Sequence, residues 1–159
     1  MIPEEIVAKF AHSLESFDPI YGQPSNTNIT RLQDSIAPLL LQITYDETGA
    51  VHDLIRLIWL EAAYVVCYGK AFLDPTRVGA YVANIDNDAM SVVRARYEAA
   101  HKAKRADRGT YETAIQETTQ FVLAVVADTW VCEFRDFNLL YTEVDPKEIF
   151  SHLQVWCTG

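Results

Sequence analysis

The chain has 159 residues, half of them hydrophobic and 22% charged, with a net charge of −9. At this length folding should bury about two-thirds of the surface that the unfolded chain exposes, so one domain needs neither disulfide nor metal to hold it together. Six glycines and six prolines are too few for an all-β fold that turns every ten or so residues, and so acidic a surface repels phosphate backbones, which argues against a generic nucleic-acid binder.

The N-terminus lacks a basic stretch followed by an apolar run, and no run of roughly 18 apolar residues follows, so neither secretion nor membrane contact is expected. Cys67, Cys132 and Cys157 are odd in number and far apart; they read as buried thiols in a reducing, cytoplasmic setting. Without a leader, Asn28-Ile29-Thr30 is a chance glycosylation match.

In chain order, Pro3-Glu4-Glu5 opens a short amphipathic helix through Phe10, proline in the first turn and carboxylates at the positive end of the dipole. Residues 16–28 read as irregular: Asp18-Pro19, Gly22 and Pro24 break a helix, and Ser25-Asn26-Thr27-Asn28 offers capping side chains. Ile29, Leu32, Ile36, Leu39, Leu40 and Ile43 then recur at helical spacing, with Pro38 expected to kink or split the helix. Residues 51–68 are almost continuously apolar and predict a central buried helix closed by Gly69. A connection with Pro75 and Gly79 leads to a helix capped by Asn87 or Asp88, its apolar face Met90, Val93, Tyr97 and Ala100. Gly109 marks an expected interruption. A second core helix then starts at Thr110, with Tyr111, Ile115, Thr118, Val122, Val125 and Cys132 in register. Asp145-Pro146-Lys147-Glu148 supplies an N-cap acid, proline at N1 and glutamate at N3 for a last helix with Ile149, Phe150, Leu153 and Trp156 on one face. The pattern predicts one all-α domain of about six helices: residues 1–28 an irregular arm with a short helix, residues 29–159 a helical core.

The sequence carries few residues in patterns that support catalysis or metal binding. The four histidines, 12, 52, 101 and 152, show no metal-binding spacing, and no CxxC, phosphate-binding glycine loop or GxSxG elbow occurs. Glu47-Thr48-Gly49 lacks the aspartate of an aspartic-protease triplet. His52 and Asp53 are helical neighbours about 100° apart, which suits a solvated helix start better than an acid–base pair. His152 reads as a packing histidine beside Phe150 and Leu153, and Trp59, Trp130 and Trp156 as core or interface residues. Neither cofactor, metal nor small-molecule substrate is expected.

One local feature departs from the average. Between residues 89 and 109, Arg94, Arg96, Lys102, Lys104, Arg105 and Arg108 face only Glu98 and Asp107, a net of +4 that leaves −13 for the remainder. This is either a solvated helix face or an electrostatic contact with the acidic surface of a second copy or, less easily for an acidic chain, with RNA. A head-to-tail contact of that kind builds rings, lattices or shells.

The order of features resembles the N-terminal half of the capsid region in Gag polyproteins of copia-type long-terminal-repeat retrotransposons. Phe17-Asp18-Pro19-Ile20-Tyr21-Gly22-Gln23-Pro24 resembles the family's Pro-Ile-x-Gly-Gln-Pro opening. Gly49 and Leu54, Ala62 and Tyr64, and Phe72, Pro75 and Gly79 follow in the family's order. Val144-Asp145-Pro146-Lys147-Glu148-Ile149-Phe150-Ser151-His152-Leu153 resembles its closing Thr-Pro-x-Glu and His-Leu motif. The likeness runs from about residue 10 to the C-terminus, and its ordered spacing carries it rather than any one piece. His52-Asp53 stands in place of a glycine-rich His-Gly-His stretch and Val78-Gly79 in place of Pro-Gly, differences confined to loops.

The resemblance implies a non-enzymatic capsid-type protein that self-assembles into a virus-like particle around element RNA. The family's second helical domain and its CCHC knuckle are not among these residues, so an excised fragment, a short reading frame or a domesticated remnant is expected, with RNA bound indirectly or weakly. The six cations and the loop aromatics Phe17 and Tyr21, expected to be exposed, are the candidate contact residues of a homo-oligomer. The alternatives are a monomeric helical adaptor holding a protein or peptide in a groove, and a small-ligand pocket around Glu61, Tyr64 and Asp128.

Overall fold

A computed structural model describes residues 2–44, 54–58, 91–132 and 145–157. Among the described residues there are four α-helices and no strand: α1 (Pro3–Glu15), α2 (Asn26–Leu41), α3 (Ser91–Val125) and α4 (Pro146–Trp156), with 3-10 turns at Leu54–Leu57 and Asp128–Trp130. The chain is therefore all-α where it is described. Four helices stand where about six are expected, partly because two expected helices are one and partly because the elements expected over residues 59–90 lie outside the described residues. Of the helix expected over residues 51–68, the described part is a 3-10 turn.

Helix α1 runs well past Phe10 and is no peripheral arm. Ile6 and Phe10, one turn apart, are buried, and Leu14 packs against the same core. Glu4 and Glu5 occupy its first turn, where the helix dipole favours carboxylates. Helix α2 begins at Asn26 because Ser25 caps it: the Ser25 hydroxyl oxygen accepts the Asn28 amide at 3.2 Å. Ile29, Leu32, Ile36 and Leu40 are its buried stripe. Pro38 does not split it. The proline is solvent-exposed three residues from the helix end, so the carbonyl of Asp34, itself exposed, faces water instead of a missing amide.

The largest departure is α3, 35 residues without a break at Gly109. Glycine in a helix interior costs about 1 kcal/mol relative to alanine, a penalty that neighbouring contacts offset. The Thr113 hydroxyl donates to the Gly109 carbonyl at 2.8 Å. Arg108 pairs with Glu112 at 3.0 Å and lies 5.1 Å from the Tyr111 ring centre. At its far end α3 stops at Val125 rather than continuing to Cys132. The Ile20 amide donates to the Val125 carbonyl at 2.8 Å, taking the place of the amide that a further helical turn would have supplied. Cys132 is exposed, not buried.

Helix α1 packs chiefly on the second half of α3. The Phe121 ring is met edge-on by Phe10 at 6.4 Å and by Phe17 at 5.6 Å. Helix α2 crosses to the 3-10 turn, where the Gln33 side-chain amide donates to the Ile58 carbonyl at 2.6 Å beside buried Leu57. Helix α4 closes this core with Ile149, Phe150 and Leu153. Its N-terminus is capped as the sequence predicts, the Asp145 carboxylate accepting the Lys147 amide at 2.9 Å. The side chain of Trp156 lies outside the described set.

Phe121→Ala removes the hub of three rings and should cost about 3–5 kcal/mol. Gly22, the positive-φ glycine of the described residues (φ 71°), meets nothing where a Cβ would stand, so Gly22→Ala should cost about 1–2 kcal/mol from backbone strain alone. Urea unfolding followed by circular dichroism checks both, and equal losses for the two variants would contradict this ranking.

Candidate interaction surface

The spacing of α3 places two environments on one helix face. Asp107, Tyr111, Ala114, Thr118, Phe121 and Val125 recur at steps of four and three, and all six are buried. Continued toward the N-terminus, the same stripe is Lys104, Ala100, Tyr97 and Val93, and all of these are exposed. Val92 is 58% exposed, and Val93 and Tyr97 are each 49% exposed. No residue of 91–106 is buried. The amphipathic face expected through Val93, Tyr97 and Ala100 thus exists but is not in the core; Met90 lies outside the described residues.

Arg94 and Arg108 are half-buried and engaged, Arg108 with Glu112 and the Tyr111 ring. Arg96, Lys102, Lys104 and Arg105 are exposed, and among the described residues none of them is met by a carboxylate. At about 100° per residue, Lys102 and Arg105 share one side of the helix while Arg96 and Lys104 flank the Val93–Ala100 side. The cations therefore surround the helix and do not form the single strip expected.

The two loop aromatics part company. Phe17 is not exposed as expected: it is half-buried against Phe121, and the Arg31 guanidinium sits 4.5 Å from its ring centre. Tyr21 is 84% exposed. Buried Ile20 precedes it and buried Pro24 follows within three residues, with Gly22 in the left-handed region between them. The Ile20–Val125 hydrogen bond ties this turn to the C-terminal end of α3. Sequence composition identifies a loop here but not its anchoring, because the partner amide and carbonyl are 105 residues apart in the chain.

Of the small-ligand set, Glu61 and Tyr64 lie outside the described residues, and Asp128 is exposed at the start of a 3-10 turn. Among the described residues no three histidine, cysteine or acidic side chains gather as metal ligands, and no helix is long and apolar enough to cross a membrane. His152 and Trp130 are half-buried, Trp130 against the core. An open groove of about 520 Å³ runs between α1 and the end of α2, lined by Ala8, Lys9, His12, Ser13, Ser16, Leu39 and Gln42. The Lys9 ammonium donates across it to the Gln42 side-chain oxygen at 3.0 Å.

Burial pushes the Cys157 thiol up, its Sγ donating to the Leu153 carbonyl at 3.2 Å, so it is a poor nucleophile. Burial also raises the Glu117 carboxyl above its ordinary range. The folded state then favours the protonated acid, so its contribution is fully present below the unfolded pKa and fades as pH rises through the folded one. Glu117→Gln should melt higher than wild type near pH 7, with the gap closing toward about pH 4. A gap that widens on acidification would contradict the burial. Comparison with family models, curated proteins and solved structures finds no match.

Proposed function

We propose that this chain is a non-enzymatic assembly domain that associates with copies of itself, in the manner implied by its likeness to the N-terminal capsid half of copia-type Gag polyproteins. The observation that carries the reading is the first half of α3: no residue of 91–106 is buried, the segment is net cationic, and the remaining residues of the chain sum to −13. Two opposite charge regions on one molecule attract between copies and repel within like ends, which favours contacts of one end with the other. RNA enters this reading only weakly, through the same cations, and neither a cofactor nor a membrane has a part in it.

A second reading, a monomeric adaptor, is favoured by the open α1–α2 groove, where Ala8 and Leu39 lie among polar side chains. Light-scattering mass against protein concentration separates the two. Self-association predicts a mass that climbs above 18.0 kDa with concentration and falls with salt as the charges are screened. Lys102→Glu/Lys104→Glu/Arg105→Glu should abolish that climb while changing stability by no more than about 0.5 kcal/mol per site, because all three side chains are exposed. A mass fixed at 18.0 kDa for wild type at every concentration and salt would reject self-association and leave the adaptor.

A further inference from the structure

Among the described residues, two exposed surfaces lie at opposite ends of α3. The cationic segment occupies residues 91–106, and the Tyr21 turn is fastened to Val125 by the Ile20 amide. From Arg96 to Val125 the helix rises about 44 Å at 1.5 Å per residue, so a single copy cannot bring the two together.

Their chemistry is complementary. The Tyr21 end carries an aromatic ring exposed to 84%, held by a turn whose flanking residues are buried. Asp18 is two residues before Ile20 and Asp128 three residues after Val125, and both carboxylates are exposed. No lysine or arginine occurs in residues 16–30 or 119–132, and the neighbouring Arg31 is half-buried over the Phe17 ring. The negative end of the α3 dipole points the same way. At the other end, Arg96 and Lys104 flank Val93 and Ala100, four exposed side chains that continue the buried stripe of the helix. A cationic side chain over a tyrosine face gains about 0.5–2 kcal/mol, more as water is excluded, and a backbone already anchored at Ile20 has less entropy to lose on docking.

We propose that the Tyr21 turn of one copy receives the first half of α3 of the next, Arg96 and Lys104 meeting Tyr21, Asp18 and Asp128, with the Val93–Ala100 face laid against the turn. This rests on the self-association reading and specifies its contact. The two patches are different surfaces of one molecule, so the contact is heterologous. Each copy joined this way leaves one free end of each kind, and growth continues as a chain or closes as a ring.

Complementary end-blocking tests it. One variant loses the receiving end (Tyr21→Ala/Asp18→Lys/Asp128→Lys) and the other the inserting end (Arg96→Glu/Lys104→Glu). All five side chains are exposed, so both variants should keep wild-type helicity and melting; Tyr21→Ala alone is the substitute if the triple variant melts early. Each variant alone should stay at 18.0 kDa under conditions where wild type grows. Their equimolar mixture contains one intact contact per pair and should level off at twice that mass, without further growth. If wild type grows and either variant grows equally, the proposed contact is wrong while self-association stands. If both variants are monomeric and the mixture also stays at 18.0 kDa, the two ends do not meet each other and the pairing is overturned. A monomeric wild type removes both the contact and the reading beneath it.

Discussion

Phe121 holds the edges of Phe10 and Phe17, and most of the described structure depends on that meeting of three rings. It fixes α1 along the second half of α3, and it brings residues 17–20 close enough for the Ile20 amide to take the Val125 carbonyl. That bond ends the long helix and orients the Tyr21 turn. With one end of α3 committed to the core, the regular backbone carries the other end out of it. The face that is core from Asp107 onward is surface from Lys104 back toward the N-terminus. The same stripe thus stabilises the fold at one end and leaves Val93, Ala100 and Lys104, with Arg96 beside them, exposed at the other.

The electrostatics follow from that division. Lysine and arginine are costly to bury, so a cation-rich segment is compatible with a helix that leaves the core. Four of its cations are without carboxylate partners among the described residues, in a chain with a large negative excess elsewhere. Charge separation of this sort does little for the stability of a single copy, since exposed pairs are worth at most about 1 kcal/mol. It acts on encounter and orientation between molecules, where opposite patches steer approach and like patches reject wrong registers.

How much of this is legible in the sequence depends on the range of the interaction involved. The caps of α2 and α4 are local, and Ser25 and Asp145 perform as their residue types and positions predict. Buried stripes such as Ile29, Leu32, Ile36 and Leu40 follow from periodicity. Gly109 misleads because its cost is local while its compensation comes from Arg108, Glu112 and Thr113 acting together. The end of α3 is hidden within an apolar run, residues 121–127, that offers no boundary residue; the boundary is set by an amide far upstream. Phe17 and Tyr21 are both aromatic residues of one irregular segment, and only tertiary packing decides that one turns inward and the other outward. The cationic segment is plain from composition, yet its distribution around the helix and its exit from the core are not. An amphipathic pattern tells which face seeks a partner but not where that partner lies.

The proposed assembly requires α3 to be one continuous helix that carries the cationic segment away from the Phe121 core. Pulsed electron–electron distance measurement between spin labels at positions 96 and 120, both exposed, addresses this directly when the labelling chemistry leaves the cysteines untouched. A continuous helix predicts a narrow distribution centred near 36 Å, 24 residues at about 1.5 Å each. A broad distribution, or one centred below about 25 Å, would mean a hinge or a fold-back at Gly109. The cationic segment would then return to the core, and the separation of the two ends that the proposed assembly requires would be lost.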